Sequence, residues 1–275
     1  MKNELIFDIK NASYTYLDKY PALKNVNVQI KRSERIALLG ANGSGKSTLL
    51  LLLAGLIFSK TGSVKFLDNI LTEEKVSDEK FRSLFRSSVG IVFQNPDIQL
   101  FNSNVKDEIL FGLLQLSLPE DEIGKRLENS LSIMAIGHLT DRHPQYLSTG
   151  EKKRVSIASV LAMEPDIILL DEPTAGLDPR TMRHFMDIVN VLSAEGTTIV
   201  TATQDIHIVP EIADRAIVLS EDKSIVKDDI VSEVLKDREL LERHNLIHSH
   251  IHMHQGRPHV HPHEHPDHHY SHAGQ

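Results

Sequence analysis

The chain has 275 residues, 38 acidic and 30 basic, for a net charge of −8 with histidine neutral, and it has no cysteine. That balance gives no electrostatic footprint for nucleic acid, and the missing thiols exclude disulfides and thiolate metal sites, as suits a reducing compartment. The N-terminus has no apolar signal-peptide core; the longest apolar run, 49–58, is half of the roughly 20 residues that a membrane span needs.

Alternation predicts strands at 5–9 and 26–30. A short apolar run at 36–39 ends in Gly40, as a buried parallel strand would. The segment that follows, Gly40-Ala41-Asn42-Gly43-Ser44-Gly45-Lys46-Ser47, fits G-x-x-x-x-G-K-[ST], with Thr48 next and a helix predicted over 46–54. Glycines let the backbone wrap closely with its N–H groups inward, and the helix N-terminus adds partial positive charge. Lys46 is therefore expected on the β- and γ-phosphates of a nucleotide, and Ser47 on Mg²⁺.

Further strands are predicted at 64–67 and 90–93. From 104 to 134 the pattern turns helical, divided by Pro119, and one amphipathic helix covers 148–163. Ser148 and Glu151 have capping-box spacing at its start. A buried strand at 167–170 ends in Asp171-Glu172, at the sheet edge where ligands gather in open α/β folds. Asp171 is the expected metal-side carboxylate, and Glu172 the base that orients and deprotonates an attacking water. Strands at 197–201 and 216–219 complete a parallel sheet covered on both faces. Residues 1–80 and 155–225 form the expected core, 81–154 a helical subdomain, and 226–245 a C-terminal extension.

Twelve of the 16 histidines lie from His244 onward, among Pro258, Pro262 and Pro266. This tail, 246–275, lacks the apolar content for a core and is expected to be disordered. His248, His250, His252, His254, His259, His261, His263, His265, His268 and His269 are candidate ligands for Ni²⁺ or Co²⁺, with a purification tag or a solvated polar tail as the bland alternatives.

The turn Leu147-Ser148-Thr149-Gly150-Glu151, set between the phosphate loop and the acidic strand, resembles the LSGGQ signature of ATP-binding-cassette (ABC) ATPases. Residues 5–225 are similar to that family's nucleotide-binding domain throughout, with the motifs in family order. The resemblance implies a P-loop NTPase fold of class α/β, with a parallel-sheet core, N-terminal antiparallel strands and a helical subdomain. It implies ATP and Mg²⁺ as ligands and ATP hydrolysis as the activity. Tyr16 resembles the aromatic that stacks on adenine, and Gln94 the glutamine that contacts Mg²⁺. Ser148, Thr149, Gly150 and Glu151, with Asp178 in the turn Pro173-Thr174-Ala175-Gly176-Leu177-Asp178, would act in trans on ATP held by a second subunit.

Two positions depart from the pattern. Thr149 replaces a glycine, and Gln204, in Thr203-Gln204-Asp205, replaces the switch histidine; glutamine donates a hydrogen bond but carries no charge. His207 lies three residues on and reads as part of a helix start. Gln94-Asn95-Pro96-Asp97 with Gln99-Leu100-Phe101, Glu151-Lys152-Lys153-Arg154, and the run from Val209 to Arg215 resemble energy-coupling-factor (ECF) transporters, in particular their cobalt and nickel importers. That implies a homo- or heterodimer of ATPase subunits at the cytoplasmic face of the cell membrane, attached to integral membrane coupling and substrate-binding components. A vitamin importer, a soluble ABC ATPase and a metal-sensing protein with a degenerate cassette remain as alternatives.

Overall fold

A computed structural model describes residues 4–254 and 257–263, with side chains through residue 247. Six strands build the main sheet: β3 (Arg35–Leu39), β6 (Val89–Val92), β7 (Ile167–Asp171), β8 (Thr198–Ala202), β9 (Arg215–Leu219) and β10 (Ile225–Ile230). Their spatial order is β10-β9-β3-β8-β7-β6, parallel except for β10. The second sheet is antiparallel, with β1 (Leu5–Tyr16) between β2 (Tyr20–Lys31) and β4 (Thr61–Phe66), and β5 (Asn69–Ile70) at its edge.

The central strands are mostly apolar because both faces are covered, with Thr198 and Thr201 of β8 as buried polar exceptions. Ile36, Leu38, Ile167, Leu169, Val200 and Ala202 face one core, with β1, β2 and the leucines of α1 (Lys46–Leu53). Ala37, Leu39, Ile168, Leu170 and Ile199 face the other. That second core is filled by α4 (Val105–Leu113), α5 (Glu120–Ile133), α6 (Thr149–Leu161) and α7 (Pro179–Ala194). Each fully buried leucine contributes about 2 kcal/mol to this arrangement. The sheet thus fixes both motif edges: α1 leaves the end of β3, and Asp171 ends β7 beside Ala202 of β8.

Three segments carry elements that the sequence pattern does not predict. α2 (Glu73–Ser77) and α3 (Glu79–Ser88) precede β6, and Phe81 and Phe85 of α3 pack with Phe66 in the core under the antiparallel sheet. β6 pairs with β7, which joins Val89–Val92 to the main sheet. The extension assigned to 226–245 begins with a sheet strand, β10, followed by α9 (Val231–Lys236), which packs on α8 (Val209–Ile212), and by α10 (Arg238–Arg243). In the tail, where disorder is expected, the backbones of β11 (His248–His254) and β12 (Arg257–His263) pair as an antiparallel hairpin. The H-x-H repeat has the period of a strand. Residues 255–256 and 264–275, including His265, His268 and His269, lie outside the described residues.

Candidate nucleotide site

The loop between β3 and α1 is held in its shape by conformations that a side chain would forbid. Gly45 has φ 110, and a Cβ there would come within 2.5 Å of the Ala22 carbonyl oxygen of β2. Glycine alone is comfortable there, so the loop can lie against β2 and aim the first N–H groups of α1 at one point. Lys46 is only 6% exposed; its Nζ donates to the carbonyl oxygens of Gly40 (2.7 Å) and Ala41 (3.4 Å) and lies 3.9 Å from Glu172 Oε1. Burial pushes its ammonium downward in pKa, against the pull of Glu172 and Asp171.

The two carboxylates have different surroundings. Asp171 is buried and accepts a hydrogen bond from the Ser47 side chain; burial nevertheless raises its pKa. Its Oδ1 is buried and has no hydrogen-bond partner among the described residues, a costly arrangement unless a cation completes it. An oxygen-only set of Asp171, Ser47 and Gln94 suits a hard divalent ion, so these residues fit Mg²⁺. Bound there with a nucleotide, the ion would neutralise charge on the β- and γ-phosphate oxygens.

Glu172 sits just past the end of β7 with φ 43, left-handed backbone that a non-glycine residue rarely adopts. Its N–H donates to Ala202 O (2.9 Å), which anchors the strained residue to β8. Burial raises the pKa of its carboxyl, which makes it a stronger base once ionised. The Thr203 hydroxyl and the Gln204 backbone N–H both bond to that carboxylate. Thr203 is fully buried and its Oγ1 also accepts from Asp205 N (3.0 Å), so one hydroxyl ties the acid to the switch turn.

These groups open onto one cleft of about 380 Å³ lined by Tyr16, Asn42, Gly43, Gly45, Lys46, Ser47, Thr48, Gln94, Asp171 and Glu172, and also by Tyr20, Pro21, Ala22 and Lys223, but not by Gly40, Ala41 or Ser44. Tyr16 ends β1, stands edge-on to Tyr14 (4.9 Å between centroids) and bonds Thr48 Oγ1 at 3.4 Å. Lys223 Nζ donates to Gly43 O (2.5 Å) and latches the phosphate loop to the turn after β9. Nothing in the sequence marks Lys223, because the contact joins segments 180 residues apart.

Ser148, Thr149, Gly150, Glu151 and Asp178 do not line this cleft. Ser148 caps α6: its N–H and hydroxyl both donate to Glu151 Oε2 (2.8 Å each), and its Oγ accepts from Glu151 N (3.4 Å). Thr149 directs its methyl toward Gly176, where an added Cβ would lie 3.8 Å from Thr149 Cγ2. Asp178 caps α7 by accepting from the N–H groups of Arg180 and Thr181, both at 3.0 Å. Gln204 is exposed and is joined to the acid pair through its backbone. His207 precedes the short helix α8, with its N–H on Asp205 Oδ1 (2.9 Å). Among the described residues, no group of three or more His, Asp or Glu side chains forms a metal cluster, and no helix is long and apolar enough to cross a membrane.

Phosphate loop, metal-side aspartate and adjoining glutamate on one sheet edge define a P-loop nucleoside triphosphatase. The family model for ABC transporters matches residues 23–175, and the chain belongs to that family. It is 41% identical over 242 residues to the energy-coupling factor transporter ATP-binding protein EcfA of Methanothermobacter thermautotrophicus, covering 88% of this chain and 76% of that one. Among solved structures it is similar to CbiO1 of Clostridium perfringens, part of the ABC transporter complex cbiONQ, with TM-score 0.73 and 40% identity over 88% of this chain and 95% of that one. It is also similar to the cassette MJ0796 in a dimeric post-hydrolysis state with ADP and Pi, with TM-score 0.74 and 28% identity over 82% of this chain and 99% of that one. The chain is therefore an ABC-type ATPase.

Gln204→His tests the departure at the switch turn. A protonated imidazole adds donor charge to a bond with the γ-phosphate that a neutral amide lacks, worth roughly 1.4 kcal/mol, so steady-state kcat is expected to rise about tenfold. An unchanged kcat would show that glutamine serves this site as well as imidazole.

Proposed function

We propose that this chain is the ATP-hydrolysing subunit of an ECF-type importer for a transition metal ion, cobalt or nickel. The observation that carries the ATPase part is the division of the site. One chain brings Lys46, Asp171 and Glu172 to a common cleft but leaves its own signature turn outside that cleft. A second cassette packed head-to-tail would present the turn at Ser148 and Gly150 to the γ-phosphate held by Lys46. Water, oriented by Glu172, attacks the γ-phosphorus; the bond to the β–γ bridging oxygen breaks, ADP and phosphate form, and Glu172 takes the proton. Closure and reopening of the pair would drive membrane coupling and substrate-binding partners at the cytoplasmic face.

The histidine-rich tail and the resemblance of the 94–101, 151–154 and 209–215 segments to cobalt and nickel importers support a metal cargo. Uptake of labelled Co²⁺ and Ni²⁺, measured beside uptake of vitamins in cells with and without this chain, tests it. Loss of metal uptake alone is the expected result; loss of vitamin uptake alone would replace this reading by a vitamin importer.

The tail is proposed as a metal-capturing segment. In the hairpin register His248 is opposite His263, His250 opposite His261, and His252 opposite His259, and histidine is a residue type that ligates Ni²⁺ and Co²⁺. Deleting 248–275 is expected to abolish Ni²⁺ retention in equilibrium dialysis while leaving ATP turnover intact. Equal Ni²⁺ retention by the shortened chain would refute the tail's role.

A further inference from the structure

α6 starts in the signature turn, and the segment 93–99 carries Gln94 into the nucleotide cleft. Between them lies a lysine that a sequence reading would leave in solvent. Lys153 is 1% exposed, and its Nζ donates to two successive loop carbonyls, Phe93 O at 3.0 Å and Gln94 O at 3.1 Å. Three further contacts run along the same seam. Lys152 pairs with Asp97 at 2.7 Å; Gln99 accepts from Phe93 N at 3.2 Å and donates to Ser156 O at 2.9 Å.

We propose that Lys153 is a positioning residue for ATP hydrolysis: its buried ammonium fastens the Gln94 loop to the signature helix, so that the two move as one body. The proposal rests on the ATPase reading above and on Gln94 as a nucleotide-side residue.

The energetics favour a specific role over a filler. Burying an ammonium costs far more than burying an apolar side chain of similar volume, and is tolerated only where acceptors are fixed. The acceptors here are two successive backbone carbonyls of the loop that follows β6. Asp171 and Glu172 lie within electrostatic reach of Lys153 and favour its charged form against the cost of burial. A displacement of Gln94 toward a bound γ-phosphate therefore pulls on α6 through Lys153. The N-terminus of α6 is the turn offered to the second subunit.

The experiment compares Lys153→Met, which keeps length and volume without charge, with Lys153→Arg, which keeps charge and donors. Three readouts are taken on the full-length protein: kcat and KM for MgATP, equilibrium ATP binding, and hydrogen exchange of the 93–99 amides with and without ATP. For Lys153→Met, kcat is expected to fall about tenfold or more, the scale of one charged hydrogen bond. KM and ATP binding should stay near those of the unaltered protein. The 93–99 amides should exchange faster and stop responding to ATP, and Lys153→Arg should restore much of both. Unchanged exchange at 93–99 in Lys153→Met would overturn the proposal. So would a kcat loss matched by an equal loss of ATP binding, which marks a general structural defect. Lys153→Gln, with a donor of shorter reach, is the second variant should the methionine form not fold, and it is read the same way. An unaltered chain without ATP turnover would refute the proposed function, while the exchange measurement would still decide the link.

Discussion

Glu172→Gln is expected to lower kcat for ATP hydrolysis about a thousandfold, within the range that general-base loss produces. The amide is isosteric, so the left-handed backbone at φ 43 and the N–H bond to Ala202 O remain available. It can still accept from Thr203 and from the Gln204 N–H. It cannot take a proton from water. It also removes a negative charge beside Lys46 and Asp171, which eases approach of the triphosphate. ATP binding should therefore persist or tighten, and the ATP-bound pair of cassettes should accumulate. Size-exclusion chromatography with ATP checks the second half: a stable dimer that needs ATP and is absent with ADP is expected. Turnover within a few-fold of the unaltered protein would remove Glu172 from its role as base.

Much of this site was legible because its chemistry is written in short contiguous segments. The loop of Gly40 to Ser47 specifies its own turn and helix start, and Asp171-Glu172 closes a strand of four apolar residues. Once the parallel sheet is inferred, the two must meet at its C-terminal edge. The signature turn was equally legible, but its capping box accounts for Ser148 and Glu151 within one chain. Its function needs a second chain, and a single sequence specifies only one side of such a contact.

What was not legible depends on tertiary burial or on broken patterns. β1 was read to residue 9 yet runs to Tyr16; register shifts between Ile9 and Ala12 and again to Tyr14 interrupt its period-two pattern. β10 alternates half-buried and exposed positions, with Asp228 paired to Arg215, and offers no apolar stripe to detect. Lys153 and Thr203 belong to the same class. Each occupies an ordinary sequence position, and each becomes notable only because packing leaves it at most 1% exposed beside carbonyls or a carboxylate. Sequence position gave the residues that touch substrate; packing was needed for the residues that hold them.

Lys46→Ala is expected to raise the dissociation constant for ATP about a hundredfold, the loss of roughly 3 kcal/mol for one charge-assisted contact to phosphate. The direction follows from what Lys46 does without nucleotide. Its Nζ rests on the carbonyl oxygens of Gly40 and Ala41 and lies 3.9 Å from Glu172, so it is already folded over the loop's mouth. Phosphate oxygens would replace weaker neutral acceptors and relieve a cation that burial disfavours. Alanine leaves the acid pair of Asp171 and Glu172 facing the triphosphate without that cation, which adds repulsion to the lost attraction. Folding is expected to weaken, because Asp171 and Glu172 lose their compensating cation, while α1's leucines stay in place. Titration calorimetry with ATP, set beside thermal unfolding of the same samples, separates the two effects. Near-normal affinity in a well-folded Lys46→Ala protein would mean that the loop grips phosphate through its backbone alone.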